Sequence, residues 1–71
     1  MNKLILNLDI YSLKNIENTC QVYADYASIK IIHMGSRIEL EFDRCKYDSK
    51  LTMREFENYL INVENAKNVI E

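Results

Sequence analysis

The chain has 71 residues, of which 48% are hydrophobic and 28% are charged, with one glycine and no proline. This length indicates one small domain, and the composition excludes disordered, collagen-like and mucin-like chains. Nine basic and 11 acidic side chains give a formal net charge of −2. Because that balance lacks the positive field that nucleic acids and anionic lipids require, neither is expected as a partner.

Residues 3–10 carry the alternation typical of a strand with one buried face. Every second residue is apolar, and Ile5 is the only apolar residue in between. A period of two predicts a half-buried strand from Lys3 to Ile10. The apolar residues at the N-terminus are interrupted by Asn7 and Asp9. Because they are too few for a signal sequence or a membrane-spanning helix, we expect a cytoplasmic protein.

The next pattern predicts an amphipathic helix from Leu13 to Tyr26. Ser12 is a suitable N-cap, and Tyr11 before it is placed to pack on Ile16 as a hydrophobic staple. Apolar residues then recur at three- and four-residue spacing, with polar residues on the opposite side. One face of this helix is therefore expected to cover the sheet.

A β-hairpin is predicted in the middle of the chain. Gly35, the only glycine, stands where a two-residue hairpin turn requires a positive φ. Pairing Met34 with Arg37 places apolar residues opposite one another on one face and a cross-strand ion pair on the other. A shift by one residue would disrupt both faces, so the turn and the pattern agree. The predicted strands are Ser28–Met34 and Arg37–Asp43.

A second amphipathic helix is predicted from Met53 nearly to the end of the chain. Thr52–Glu55 has the spacing of a capping box, and Leu51 and Phe56 are placed as its hydrophobic staple. A heptad-like apolar stripe follows and reaches Ile70.

The order β-α-β-β-α predicts the fold class, an α+β two-layer sandwich. A right-handed crossover followed by a hairpin, with the third strand inserted beside the first, gives a three-stranded sheet of order 1-3-2 with both helices on one face. This is the ferredoxin-like arrangement lacking its fourth strand. Because the fourth strand would cover the first, we expect the first strand to present unpaired N–H and C=O groups along a free edge.

The free edge and the sheet face beside it supply the predicted partner-binding residues. Two kinds of occupant fit such an edge, a strand of a symmetry mate or partner protein and an extended peptide. Selectivity is expected from Ile5 and Asn7 beside the edge, and from Ile32 and Met34 on the same face. Tyr47, in the polar connection before the last helix, is predicted to be an exposed contact.

No pattern in the sequence predicts a catalytic, metal or cofactor site. The chain contains no phosphate-binding glycine loop, nucleophile elbow or zinc-binding motif. The lone His33 is expected to be structural or at the rim of the core. Cys20 and Cys45 are too few and too far apart for a metal knuckle, and we expect buried thiols. The sequence therefore favours a binding protein over an enzyme.

Three short motifs, together with the order of the elements, point to a family. They are Ile10-Tyr11-Ser12-Leu13, Asp25-Tyr26 and Glu55-Phe56-Glu57-Asn58-Tyr59-Leu60-Ile61-Asn62. In these features the chain resembles, over nearly its whole length, the HxsD-like proteins, the small D-component of the His-Xaa-Ser system. Residues 63–67 stand where that family usually has a Leu-Arg pair, so the resemblance is to a divergent member.

The resemblance implies a non-catalytic accessory protein of a ribosomal peptide (RiPP) maturation system. Its expected partners are the precursor peptide, a radical S-adenosylmethionine (SAM) maturase, or both, and strand addition along residues 3–10 is the expected mode of binding. The maturase would supply the chemistry. Two alternatives remain. One is a homodimeric regulatory module that shares a continuous sheet and binds a small ligand at the junction. The other is an obligate subunit that completes another protein's sheet.

Overall fold

The computed structural model describes residues 2–67, which form a three-stranded antiparallel sheet and two helices. The elements are β1 (Asn2–Asn7), α1 (Leu13–Val22), β2 (Ser28–Met34), β3 (Arg37–Asp43) and α2 (Ser49–Lys67). The strand order is β1-β3-β2, so β1 and β2 are the edge strands. The predicted α+β class and the 1-3-2 strand order are confirmed, and residues 2–67 contain no fourth strand of the ferredoxin-like arrangement.

The hairpin of β2 and β3 has the predicted bounds and register. Met34 lies opposite Arg37, and Lys30 lies opposite Glu41. Gly35 has a φ of 66°, a left-handed conformation that glycine adopts without steric cost. One face of the hairpin is buried, so the alternation and the turn select the same pairing.

β1 ends three residues before the predicted end at Ile10. The side-chain Oδ1 of Asn7 accepts the N–H of Asp9 at 2.8 Å. The Asn7 carbonyl accepts the N–H groups of Ile10 and Tyr11, each at 3.0 Å. This local turn at Asn7 ends the strand, because the Asn7 carbonyl takes the N–H of Ile10, the next residue whose N–H would continue the ladder. Ile10, which the alternation places on the buried face, is exposed.

α1 begins as predicted but ends four residues before Tyr26. Ser12 Oγ accepts the N–H of Asn15 at 3.2 Å, the geometry of an N-cap. After α1 the chain turns, and the Tyr26 N–H donates to the Tyr23 carbonyl at 2.9 Å. Thr19 is fully buried, although the sequence pattern does not place it in the core. Its hydroxyl can be buried because it donates to the Asn15 carbonyl at 2.7 Å.

α2 begins at Ser49, before the predicted start at Met53. Asp48 Oδ2 accepts the N–H of Leu51 at 3.3 Å, and the Asp48 carbonyl accepts the N–H of Thr52 at 2.9 Å. Asp48 therefore caps the helix, as a strong N-cap residue, and the predicted capping box at Thr52 is wrong. Leu51 is exposed and does not act as a staple. Ile70 of the predicted stripe lies outside the described residues.

One hydrophobic core lies between the sheet and the helices. Strands β1 and β3 and both helices contribute to it, so both helices cover the same face of the sheet. The Phe42 and Phe56 rings pack edge to face, with centroids 5.3 Å apart. The buried apolar side chains are Leu6, Ile16, Ala27, Ile38, Leu40, Phe42, Phe56 and Leu60.

Glu64, near the end of α2, joins the two helices. Its Oε2 accepts the Ser12 N–H at 2.7 Å and the side-chain amide of Asn15 at 2.9 Å. A glutamate in the first turn of α1 would normally satisfy the N–H of the capping residue. Here a carboxylate from the other helix does so, and its charge is favourable at a helix N-terminus.

Candidate functional site

The free edge of β1 is a row of main-chain groups that have no partner strand within residues 2–67. The Leu8 N–H donates to the Ser36 carbonyl at 2.9 Å, and the antiparallel register continues with Leu6 opposite Ile38. In an antiparallel pair, hydrogen-bonded and non-hydrogen-bonded positions alternate. The even-numbered residues of β1 therefore bond to β3, and the odd-numbered residues direct their N–H and C=O groups away from it.

Lys3, Ile5 and Asn7 are the residues that face the free edge. Because the Asn7 carbonyl is used by the turn that follows, the outward groups are the N–H and C=O of Lys3 and Ile5 and the N–H of Asn7. The side chains of these three residues are exposed on the face of the sheet opposite the helices. We call this surface the open face.

The structure brings four of the predicted binding residues onto the open face but not into one continuous patch. Ile5 is 55% exposed and Met34 is 50% exposed. The register places Glu39 between Ile5 and Ile32, and Arg37 between the other two. The four residues are Ile5, Asn7, Ile32 and Met34.

Charges on the open face are arranged around Lys3. Its Nζ lies 3.3 Å from a carboxylate oxygen of Glu39 and 3.9 Å from one of Glu41. The Glu39 side chain is only 12% exposed. The cation beside the free edge is therefore largely neutralised, and Ile5 offers the exposed apolar contact next to it.

β2 leaves a second free edge in the described part of the chain. β3 uses its even-numbered residues to bond β1, so its odd-numbered residues bond β2. Ile29, Ile31 and His33 consequently direct their main-chain groups outward. The side chain of His33 is exposed at the end of this edge, whereas the two isoleucines are half-buried.

Tyr47 lies away from the open face, in a groove between the helices that we call the aromatic groove. The cavity has a volume of about 500 Å³. The Tyr47 side chain, predicted to be an exposed contact, is 60% exposed there. The groove is lined by Val22, Tyr23, Tyr26, Tyr47, Leu51, Thr52, Glu55 and Tyr59.

Four tyrosine rings of the groove form a row that is anchored in the core. The ring centroids of Tyr47 and Tyr26 lie 6.2 Å apart. The Tyr23 centroid lies 5.9 Å from that of Tyr26 and 5.9 Å from that of Tyr59. Tyr23 also packs on Phe56 at 5.5 Å, and its hydroxyl donates to the Glu55 carbonyl at 3.1 Å. Burial raises the pKa of Tyr23, and the nearby Glu55 carboxylate raises it further. The phenol is therefore neutral at physiological pH.

The thiols and the single histidine form no reactive arrangement within residues 2–67. Cys20 and Cys45 are half-buried and are not joined in a disulfide. Burial raises the pKa of the Cys20 thiol to about 11, with a smaller contribution from Glu17, so the thiol is protonated at neutral pH. In this part of the chain no group of three or more His, Cys, Asp and Glu side chains is placed to hold a metal ion.

The groove is the feature that sequence reasoning missed. Only Tyr47 is predicted as a contact, whereas Tyr23 and Tyr59 fit the apolar stripes of the helices and Tyr26 is assigned to the end of α1. Five tyrosines in 71 residues are the available signal. Composition alone does not show that four of them come together.

Comparisons with known proteins give no assignment. No protein-family model matches the chain, and no curated protein or solved structure matches it. The resemblance to the HxsD-like proteins therefore stays a prediction. Neither α1 nor the described length of α2 is a helix long and apolar enough to cross a bilayer.

Proposed function

We propose that the protein is a non-catalytic binding subunit that takes up an extended peptide segment along β1, as a fourth strand of the sheet. The supporting observation is the row of outward main-chain groups of Lys3, Ile5 and Asn7, which meets no partner strand within residues 2–67. Unpaired groups on an edge strand are a template for strand addition.

β1 is favoured over β2 as the binding edge because α2 packs against β1. A strand added beside β1 has one face toward the helical layer, where its apolar side chains are covered. The other face of the added strand extends the open face of the sheet. This is the place of the fourth strand in a ferredoxin-like sheet.

The edge also limits what segment fits. The outward groups extend only from Lys3 to Asn7, so the added strand is short, and each hydrogen bond contributes a net ~0.5–1.5 kcal/mol. Association itself costs at least ~4 kcal/mol. Side-chain contacts are therefore needed as well, and an apolar or β-branched residue opposite Ile5 is the preferred cross-strand neighbour.

The resemblance to the HxsD-like proteins gives the proposed partners. We place the protein in the cytoplasm as an accessory of RiPP maturation, where the added strand belongs to a precursor peptide or to a radical SAM maturase. The maturase supplies all the chemistry. A genome that carries neither gene beside this one would argue against this assignment, while strand addition itself could still be tested.

Two proline variants test strand addition. In Ile5→Pro the lost N–H points to the free edge, so the bonds to β3 are kept. His33→Pro makes the same change at the β2 edge and is the matched control. Asn7→Pro is less suitable, because the Asn7 side chain holds the turn after β1.

Binding is measured by fluorescence anisotropy of a labelled precursor peptide and by pull-down of the maturase, with circular dichroism to check folding. We expect Ile5→Pro to weaken binding by at least about tenfold, which is the loss of ~1.4 kcal/mol. His33→Pro should bind like the unmodified protein. Equal binding by the two variants would exclude the β1 edge.

A second candidate is a homodimer, and the position of Ile5 favours it. Antiparallel pairing of two β1 edges about Ile5 places the two Ile5 side chains opposite each other and Lys3 opposite Asn7. Sedimentation equilibrium distinguishes the candidates. A dimer that persists without ligand and dissociates in Ile5→Pro supports this version, whereas a monomer supports the peptide-binding subunit.

A further inference from the structure

We propose that the aromatic groove is a second binding site, which takes the side chain of an arginine in a partner peptide. This site lies in the helical layer and does not depend on strand addition at β1. Three properties of the groove support it: exposed tyrosine faces, a carboxylate that forms no salt bridge with another described residue, and a volume that fits a long side chain.

The tyrosine faces attract cations. Tyr26, Tyr47 and Tyr59 are all exposed at the groove. The π-face of an aromatic ring carries partial negative charge and attracts a cation within about 6 Å of its centroid. The protein already contains one such contact, because Lys46 Nζ lies 5.9 Å from the centroid of the Tyr47 ring.

Glu55 supplies the negative charge. Its side chain is exposed at the groove and forms no salt bridge within residues 2–67. The Tyr23 hydroxyl donates to its main-chain carbonyl, which leaves the carboxylate available. A guanidinium stacks on aromatic rings and donates two hydrogen bonds to one carboxylate, so it uses both features at once. An anionic ligand would be repelled by Glu55.

The size of the groove fits this occupant. Its volume of about 500 Å³ lies within the range of ~300–1,000 Å³ typical of small-ligand sites. Val22 and Leu51 are exposed apolar residues of its lining, and they can cover the aliphatic part of an arginine side chain. The remaining space accommodates the neighbouring residues of the peptide.

The test is a titration of the ¹⁵N-labelled full chain, followed by NMR, with acetyl-arginine methylamide as the probe. Acetyl-citrulline methylamide has nearly the same shape without the charge. We expect saturable shifts at Tyr26, Tyr47 and Glu55 with the arginine probe, and at least about tenfold weaker binding of the citrulline probe. Equal binding of both probes, or no saturable shift, would overturn the proposal.

Variants locate the site. Glu55→Gln removes the charge and is expected to weaken arginine binding by about fivefold, and Tyr47→Leu by a similar factor. Glu17→Gln, an equal change on an exposed residue outside the groove lining, should leave binding unchanged. If Glu55→Gln and Tyr47→Leu both bind like the unmodified protein, the groove is not the site.

Two further titrations distinguish an arginine site in the groove from a site for another ligand and from binding at the β1 edge. Choline is titrated in parallel, and tighter binding of choline than of the arginine probe would reassign the groove to a small quaternary ammonium ligand. Ile5→Pro is expected to bind the arginine probe normally. The proposals for the groove and for the β1 edge can therefore be refuted independently of each other.

Discussion

Glu64 contacts both Ser12 and Asn15 through one carboxylate oxygen, so its loss is expected to destabilise the fold more than the loss of a surface glutamate. In Glu64→Ala the Ser12 N–H and the Asn15 amide lose their acceptor at 2.7 and 2.9 Å. A hydrogen bond to a charged group contributes ~1.5–3 kcal/mol. Water can replace part of this at a half-buried site. We expect Glu64→Ala to lower the free energy of unfolding by about 2 kcal/mol.

Glu64→Gln separates charge from geometry. It keeps an acceptor oxygen but removes the negative charge near the N-terminus of α1, which contributes ~0.3–1 kcal/mol. We therefore expect a loss of about 1 kcal/mol. Glu55→Ala is the matched control on the same helix, since it removes an exposed carboxylate, and we expect a change within ~0.5 kcal/mol.

Urea unfolding followed by far-UV circular dichroism measures these changes. A chain of this length is expected to be stable by only ~4–10 kcal/mol, so a loss of ~2 kcal/mol is readily detected and lowers the Tm by ~8–16 °C. A double-mutant cycle of Glu64→Ala with Asn15→Ala should give a coupling free energy of about 1 kcal/mol. Equal destabilisation by Glu64→Ala and Glu55→Ala would refute the role of Glu64 as a cap for α1.

Three further variants test other parts of the structure. Arg44 has a φ of 53° and an exposed side chain, so Arg44→Gly relieves the left-handed conformation and should raise the unfolding free energy by ~0.5 kcal/mol in urea titrations; a decrease would contradict this. Cys20 has a pKa of about 11, so alkylation by iodoacetamide at neutral pH should be slow in the folded protein and fast in urea. Since burial raises the pKa of the Cys20 thiol from 9.0 to about 11, the folded state keeps the proton to higher pH, and the free energy of unfolding should fall as pH rises from ~9 to ~11, with a smaller slope in Cys20→Ala. Lys3→Ala should cost ~0.5 kcal/mol at low ionic strength and almost nothing in high salt, because its ion pair with Glu39 is partly exposed; a loss that salt does not reduce would point to packing instead.

The hairpin could be predicted from sequence because two local signals coincide there. Gly35 is the only residue in the turn that adopts the positive φ at no steric cost, and the apolar alternation fixes which residues face the core. Either signal alone leaves several registers open. Together they predict the observed bounds. The strand order was predicted separately, from the crossover and the ferredoxin-like arrangement.

The ends of β1 and the start of α2 were not predictable from periodicity. At Asn7 and Asp48 a short polar side chain bonds to nearby backbone N–H groups. Such bonds compete with the regular pattern over only two or three residues. Apolar residues beyond the turn, such as Ile10, still fit the alternation although they are no longer part of the strand.

Contacts between residues that are distant in sequence account for the features that the sequence patterns did not predict. Glu64 and Ser12 are 52 positions apart, and no local pattern pairs them. The aromatic groove likewise needs Tyr26 from the turn after α1 and Tyr59 from α2. Sequence reasoning therefore placed the residues beside the β1 edge correctly on one face, but it did not reveal the groove.

A sheet with two unlike edges can add copies of itself without limit. When β1 of one molecule pairs with β2 of the next, the contact is heterologous and its repetition builds an open filament. Pairing of β1 with β1 stops after two molecules. A ligand strand on β1 covers the main-chain groups that this contact uses, so occupancy of that edge would prevent direct β1–β2 pairing between copies of the protein.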